Sequence, residues 1–256
     1  GVDPYDPARE EQVFAKIKNL SKGPMREDSL KTIYREVISA SIALEKEMVI
    51  GYLGPEATYT HQAAVKNFGS TLDYRSLSDI PDVFNAVESG ECDYGVVPIE
   101  NSTEGAVNRS LDLLVESELS IIAQVYLQVE HCLFSRDKRT EIKEIRSKDQ
   151  ALAQCGEWVR RNFPHASLIP VTSTAEGVKN CKVGNGVAAI AGELAGRIHD
   201  VPMLDQGIQD KKNNVTRFLV VARNSLSHSQ NVMFRTSLVV TLSDQVGALQ
   251  SALSPF

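Results

Sequence analysis

The sequence predicts an α/β fold with two α/β lobes around a cleft, preceded by an N-terminal helical segment and followed by the start of a smaller α+β module. From Met48 onward, apolar runs of strand length alternate with amphipathic segments of helix length. The alternation covers residues 48–134 and is repeated over 149–222, which favours two lobes of similar size over one barrel. A chain of 256 residues is long enough for such a domain with short flanking pieces.

The sequence of residues 1–46 predicts helices. A short helical piece is expected near residues 8–20, and residues 29–45 carry a stripe at helical spacing formed by Leu30, Ile33, Tyr34, Val37, Ile38, Ser41 and Leu44. A lone helix of this kind needs a partner for its apolar face. That partner could be the rest of the chain, another subunit or a further domain, and we expect self-association as a homodimer or homotetramer.

The first lobe is predicted from a series of alternating segments. Its strands are Met48–Leu53, Asp93–Pro98 and one or two within Ile121–Phe134, and its helices are Tyr59–Phe68, Asp79–Ser89 and Thr103–Ser117.

The second lobe repeats the pattern. Its helices are Asp149–Asn162, Ser173–Lys182, which a Ser-x-x-Glu capping box opens, and Gly192–Ile198, and its strands are Ser167–Val171, Val187–Ala191 and Thr216–Ala222. We therefore expect a two-lobed domain over 47–223, a polar linker over 224–235, and an incomplete module over 236–256. That module should begin with a strand at Thr236–Leu242 and a helix at Gly247–Leu249.

Composition excludes several classes of function. The formal net charge of −6 argues against nonspecific nucleic-acid binding, which needs a basic face. Four well-separated cysteines and the lack of an export signal or apolar span predict free thiols and a cytoplasmic protein without membrane contact. The five histidines lack metal-ligand spacing, and the Gly-rich segment 184–189 is followed by a strand instead of a helix. We therefore expect neither a metal nor a cofactor.

Four polar clusters follow or flank the apolar strands, at residues 54–61, 98–105, 172–175 and 213–218. Ligands of open α/β sheets bind beyond strand ends, where helix N-termini offer free N–H groups to anions. Ser and Thr at such places also serve as ordinary helix caps and turn residues. Four clusters together with Arg217 favour a small-anion site.

Three of these segments carry a specific resemblance. Gly-Pro-x-x-Thr-Tyr-Thr-His at 54–61, VVPIENSTEG at 96–105 and Thr-Arg-Phe at 216–218 resemble, in this order, the motifs of prephenate dehydratases. The resemblance covers about residues 48–222. It implies a lyase that converts prephenate to phenylpyruvate in L-phenylalanine biosynthesis, without a cofactor.

The resemblance also implies roles for individual residues. Thr216, Glu100 and Asn101 form the catalytic set, in which Thr216 assists departure of the ring hydroxyl by a hydrogen bond and Glu100 is the alternative acid. Arg217 is expected to bind a carboxylate bidentately. The remaining expected substrate-binding residues are Thr58, Thr60, Ser102, Thr103, Ser147, Gln154, Thr172, Ser173, Thr174, Asn214 and Phe218. The segment 147–154 departs from the family, which more often has Ser-His-Pro-Gln where this chain has Ser-Lys-Asp-Gln.

Both flanks resemble modules that accompany this family. Residues 1–45 resemble the C-terminal half of a helical chorismate mutase domain, with Asp6, Arg9, Glu10, Ser41 and Glu45 at pocket positions. The long first helix of that domain, which supplies essential cationic residues, is absent, which argues against mutase activity. Residues 236–256 resemble the start of an ACT domain, in which Gly247, Ala248 and Leu249 match the phenylalanine-binding motif.

A second function class fits the same fold. Two α/β lobes around a cleft also describe periplasmic-binding-protein-like modules, so a cytosolic module that binds a small anion or amino acid without turnover is the alternative. Calorimetry that shows prephenate bound but not consumed would favour that alternative.

Overall fold

The computed structural model describes residues 5–224 and 235–255. It contains two compact units, Gly1–Leu226 and Ser227–Phe256. The helices of the first unit are α1 (Pro7–Leu20), α2 (Glu27–Glu45), α3 (Tyr59–Phe68), α4 (Ile80–Glu88), α5 (Asn108–Glu116), α6 (Asp149–Gln154), α7 (Gly156–Asn162), α8 (Thr174–Asn180) and α9 (Glu193–His199). Its strands are β1 (Val49–Leu53), β2 (Asp73–Leu77), β3 (Tyr94–Asn101), β4 (Gly105–Ala106), β5 (Ser120–Gln128), β6 (Cys132–Phe134), β7 (Glu144–Ser147), β8 (Ser167–Pro170), β9 (Val187–Ala191), β10 (Met203–Gln206) and β11 (Val215–Ala222).

The N-terminal helices form a pair whose local signals are clear. Asp6 caps α1, because its carboxylate accepts hydrogen bonds from the N–H groups of Ala8 at 2.9 Å and Arg9 at 3.2 Å. Buried Glu10 forms an ion pair with Arg35 of α2. Part of the predicted stripe on α2 faces outward, since Val37 is 54% and Leu44 90% exposed.

The helical pair packs directly against the first lobe. Tyr5 is buried, and its ring lies 4.6 Å from that of Phe68 and 5.1 Å from that of Tyr94. The Asn67 amide donates a hydrogen bond of 2.8 Å to the Tyr5 hydroxyl. The N-terminal segment therefore shares the hydrophobic core of the first lobe instead of forming a core of its own.

The sheet of the first lobe has the order β2-β1-β3-β11-β5, with β4 paired to β3. Strands β2, β1 and β3 run parallel, whereas β11 is antiparallel to both β3 and β5. The sheet of the second lobe has the order β10-β6-β9-β7-β8. The prediction of two α/β lobes is confirmed.

The chain crosses twice between the lobes, from β5 to β6 through residues 129–131 and from β10 to β11 through residues 207–214. The second crossing returns β11 to the middle of the first sheet, beside β3, so the assignment of Thr216–Ala222 to the second lobe is wrong. Strand β6, predicted with the first lobe, belongs to the second sheet. Polar residues next to the two crossings are therefore brought to the cleft although they are far apart in sequence.

Several predicted elements are wrong. Residues 103–107 are not helical, because the chain turns after Asn101 and β4 pairs back onto Glu100 and Asn101, with Gly105 at a φ of 88°. The short strands β2, β7 and β10 were not predicted, since none of them has the apolar alternation of a half-buried strand.

The second unit has one described helix, α10 (Ala248–Leu253), which begins where Gly247–Leu249 predicts it. The strand predicted at Thr236–Leu242 is not formed, because a strand needs a neighbour for its N–H and C=O groups and the described part of this unit offers none. Most of the predicted linker, residues 225–234, lies outside the described residues.

Candidate active site

A cavity of about 320 Å³ lies between the two lobes. Its volume falls within the range of about 300–1,000 Å³ that is typical of small-molecule sites. The predicted residues that line it are Thr58, Thr60, Asn101, Gln154, Thr172, Ser173, Thr174, Asn214, Thr216 and Phe218. The four polar clusters of the sequence thus meet in one place, as expected for a shared site.

Asn101 has an amide whose orientation is set by the backbone. The Thr103 N–H lies 2.9 Å from Asn101 Oδ1 and must donate to it, and the Thr103 hydroxyl lies 2.6 Å from the same oxygen. Asn101 Nδ2 therefore faces the other way and donates to Thr216 Oγ1 at 2.7 Å and to Asn214 Oδ1 at 2.9 Å.

Thr216 consequently accepts a hydrogen bond from Asn101 with one lone pair of its hydroxyl. Among the described residues, no acceptor receives the Thr216 proton. Since the side chain is nearly buried and lines the cavity, its O–H is a directed donor toward whatever occupies the cavity.

The hydrogen-bond chain continues across the cleft. Asn214 Nδ2 lies 3.3 Å from Gln154 Oε1, and His131 Nε2 lies 2.7 Å from the same oxygen. His131 Nδ1 lies 2.7 Å from the hydroxyl of Tyr59. Burial lowers the pKa of His131 and raises the pKa of Tyr59 well above its ordinary value, so both side chains are uncharged near neutral pH.

Two helix N-termini face the cavity. The Thr58 hydroxyl caps α3 by accepting from the His61 N–H at 3.4 Å, and the Ser173 hydroxyl caps α8 by accepting from the Glu176 N–H at 3.1 Å. Thr60 and Thr174, in the first turns of these helices, also line the cavity. Free N–H groups and hydroxyls at these ends favour an anion.

Lys148 and Glu104 are the charged residues of the lining, and neither was predicted as a site residue. Lys148 is exposed at the start of α6, at the position where the resembling family more often has His. Tyr59 and His131 also line the cavity and were missed. Tyr59 lies inside the first motif, and a polar residue at the end of an apolar strand was a signal for His131.

Arg217 and Glu100 do not line the cavity, contrary to the sequence-based expectation. Successive side chains along a strand point to opposite faces, so Arg217 lies on the other side of the sheet from Thr216. There its guanidinium lies 3.6 Å from the Glu100 carboxylate, which is 54% exposed. The position of the pair argues against the acid role of Glu100 and the carboxylate-binding role of Arg217.

Ser147, Ser102 and Thr103 lie outside the lining as well. Buried Ser147 donates to the Ile190 carbonyl at 2.5 Å, and Ser102 donates to the Asn213 carbonyl at 3.1 Å. The Thr103 N–H donates to Asn101 Oδ1 and so orients the Asn101 amide. These residues hold the strands and loops of the site in place.

No group of His, Cys, Asp and Glu residues suited to a metal ion occurs within residues 5–224 or 235–255. The helices of the same two ranges include none with the length and apolar character needed to span a membrane.

A two-lobed α/β domain whose cleft is lined mainly by oriented neutral donors has the architecture of proteins that hold a small polar molecule between two lobes. A profile of the family described as prephenate dehydratase matches residues 50–226, and one described as chorismate mutase type II matches residues 1–46. The chain belongs to the prephenate dehydratase family of lyases, as its motifs predict.

Similar proteins agree with this assignment. A bifunctional chorismate mutase/prephenate dehydratase of Neisseria gonorrhoeae is 40% identical over 98% of this chain and 70% of its own length, and the protein of the same description from Aquifex aeolicus is 39% identical with the same coverage. Among solved structures, the prephenate dehydratase of Arthrobacter aurescens in complex with L-Phe has a TM-score of 0.69 at 29% identity, covering 82% of this chain and 72% of that chain. The Staphylococcus aureus enzyme has a TM-score of 0.65 at 29% identity, covering 81% of this chain and 78% of that chain.

Proposed function

We propose that the chain converts prephenate to phenylpyruvate in this cavity, and that Thr216 donates a hydrogen bond to the departing ring hydroxyl. The orientation of Asn101 carries the proposal. Because Thr103 N–H fixes Asn101 Oδ1, Asn101 Nδ2 must donate to Thr216, and the Thr216 proton is left for the substrate.

The reaction needs a donor at the leaving oxygen. The bond from the ring to its carboxylate breaks and its electron pair enters the ring, while the bond from the ring to the hydroxyl oxygen breaks on the opposite side. Carbon dioxide leaves, the departing oxygen takes up one proton from solvent to become water, and the ring becomes aromatic. A hydrogen bond that strengthens as negative charge grows on the leaving oxygen lowers the barrier.

The rest of the lining suits a dianion. The N-termini of α3 and α8 offer N–H groups and hydroxyls, and Lys148 supplies a positive charge at the rim. Glu104 is the carboxylate among the lining residues, and its negative charge orients the bound substrate with both carboxylates away from it. Neutral donors that are already oriented need no rearrangement during the reaction, which favours the transition state.

Thr216→Ala and Thr216→Val test the proposal against Thr216→Ser, with phenylpyruvate formation from prephenate as the assay. We expect kcat to fall by about 10²–10³-fold in the first two variants, the loss typical of one removed transition-state donor. Thr216→Ser should keep most of the activity, because the hydroxyl is retained. Thr140→Ala, at an exposed position of the second lobe, is the matched control.

An unchanged kcat in Thr216→Ala would refute the role of this hydroxyl. If calorimetry instead shows that the unaltered chain binds prephenate and the assay shows no turnover, the chain is a binding module and the proposed activity is wrong.

Three further features belong to this proposal. We propose that phenylalanine regulates the enzyme through Gly247, Ala248 and Leu249, supported by the helix that begins there and by the relative solved with L-Phe. Self-association is supported by the exposed apolar side chains of α2. A cytoplasmic site of action is supported by four buried free cysteines.

A further inference from the structure

Buried His131 joins the side chains of Tyr59 and Gln154, and neither His131 nor Tyr59 has a role in the proposal above. It lies at the first crossing between the lobes and is 2% exposed. Its Nδ1 is 2.7 Å from the Tyr59 hydroxyl and its Nε2 is 2.7 Å from Gln154 Oε1, and the Tyr59 ring meets the imidazole edge-on at 5.7 Å. A histidine held at both nitrogens has a defined tautomer, which its partners determine.

The direction of every bond in this chain follows from the backbone N–H of Thr103. That donor fixes Asn101, Asn101 Nδ2 fixes Asn214 Oδ1, and Asn214 Nδ2 therefore faces Gln154 Oε1. Because Gln154 Oε1 is an acceptor, His131 Nε2 must carry the proton and His131 Nδ1 must be unprotonated.

Tyr59 must then donate to His131 Nδ1. Its alternative acceptor, the Glu130 carbonyl, lies 3.1 Å from the Tyr59 hydroxyl, which is longer than the 2.7 Å to the imidazole. The chain of donors is consistent from Thr103 to Tyr59, and no member needs a charged state.

Gln154 is the member whose orientation matters for a ligand. Its Oε1 accepts from both His131 and Asn214, so its NH₂ group points away from them. Within the described residues this NH₂ group has no hydrogen-bond partner. It is also not sealed inside the protein, because the buried side-chain nitrogen or oxygen without a partner in these residues is Arg217 Nε. Because Gln154 lines the cavity, its NH₂ group is open to a ligand.

We propose that Tyr59 and His131 are positioning residues that hold the Gln154 amide with its NH₂ group toward an anionic oxygen of the substrate. The inference rests on the proposed function and assigns a specificity device to the same site. A reversed amide would turn its carbonyl oxygen toward the carboxylates of the substrate, and this repulsion would weaken binding of the dianion in both the ground state and the transition state.

A double-mutant cycle between positions 131 and 154 tests the inference. We expect His131→Leu to lower kcat/KM for prephenate by about 10- to 100-fold, the range for a lost buried hydrogen bond. Gln154→Met removes the amide while keeping the length of the side chain. In that background His131→Leu should cost less than about threefold, because no amide remains to be oriented. His165→Leu, an exposed histidine of the same lobe, is the matched control.

Tyr59→Phe tests the other end of the pair with the imidazole kept in place. It should lower kcat/KM in the unaltered chain and have little effect in the Gln154→Met background, because without the tyrosine proton the imidazole can change its tautomer and release the amide. His131→Gln retains an N–H donor and should recover activity relative to His131→Leu. Should His131→Leu fail to fold, Tyr59→Phe and His131→Gln give the same answer.

Equal losses with and without the Gln154 amide would overturn the inference, because they would show that Tyr59 and His131 only support the fold. This result is separable from failure of the proposed function. Thr216→Ala would still lower kcat by about 10²–10³-fold if the inference alone is wrong, whereas an absence of prephenate turnover in the unaltered chain refutes the proposed function itself.

Discussion

Asn101 Nδ2 lies 2.7 Å from Thr216 Oγ1, and the register of β3 and β11 places the two residues opposite each other. The Thr103 N–H donates to Oδ1 of the Asn101 amide. The amide therefore cannot turn over, and the bond to Thr216 cannot reverse its direction. The proposed donor role of Thr216 therefore depends on an amide at position 101.

Asn101→Asp should lower kcat by about 10²-fold or more, although the substitution changes the shape of the side chain very little. The carboxylate would accept the Thr216 proton and withdraw the donor from the substrate, which costs about as much as deleting one transition-state donor. Steady-state assays with prephenate measure the change, and Asn85→Asp, at an exposed position of α4, is the control. A kcat within about threefold of the unaltered chain would show that the Thr216 proton does not go to the substrate.

Lys148→Gln should raise KM for prephenate by about 5- to 30-fold with a smaller effect on kcat. Lys148 is the cation among the lining residues, and it is exposed at the rim, where a charge assists binding more than chemistry. The KM of the unaltered chain should also rise with ionic strength, and that dependence should weaken in the variant. Lys179→Gln, at an exposed position of α8, is the control. Equal KM values for both variants would exclude a contact between Lys148 and the substrate.

Local sequence signals were sufficient for most of the fold. The bounds of α3 and β9 agree with prediction at both ends, because α3 has a Thr cap and a terminal Gly and β9 is an uninterrupted apolar run. Strand β7 reads Glu-Ile-Arg-Ser and carries no such signal, since its neighbours β8 and β9 stabilise it. Long-range pairing decides such strands, and a sequence does not display it.

The sequence predicted which residues belong to the site more completely than it predicted where their side chains point. The family resemblance identified Asn101, Gln154, Asn214 and Thr216, which the structure joins by hydrogen bonds. The face of the sheet to which Arg217 points depends on the register of β11, which shifts between Arg217 and Phe218 relative to β3. The position of His131 depends on contact between the two crossings, where its backbone bonds to Ile208 and Gln209. These properties arise from tertiary packing and not from residue type.

Glu100→Gln should leave kcat within about twofold and the acid limb of the pH–rate profile unchanged. Glu100 is more than half exposed and lies beside Arg217 on the far side of the sheet from Thr216. An exposed ion pair of this kind contributes about 0–1 kcal/mol to stability, so the fold should also be little affected. Prephenate turnover between pH 5.5 and 8.5 is the measurement. A 100-fold loss, or disappearance of an acid limb, would restore Glu100 as the acid.

His61 should make the protein less stable as the pH falls below about 6.5, the ordinary pKa of histidine. The ring stacks on Tyr52 at 4.4 Å and its Nδ1 accepts from the Ala57 N–H at 3.1 Å, and burial lowers its pKa despite the nearby Glu56 carboxylate. The unfolded chain therefore binds a proton that the folded protein does not, so the contribution is complete above about pH 6.5 and is lost below it. The loss is at most about 1.4 kcal/mol per pH unit for one histidine.

Urea unfolding at pH 7.5 and 5.5 measures this dependence of the free energy of unfolding on pH. His61→Asn keeps an acceptor for the Ala57 N–H and removes the titrating ring, so its free energy of unfolding should change less between the two pH values. His131 and His199 also have lowered pKa values, so part of the dependence should persist in the variant. His165→Asn, at an exposed position, should retain the full dependence. An identical dependence in His61→Asn and the unaltered chain would show that His61 does not titrate differently in the folded and unfolded states.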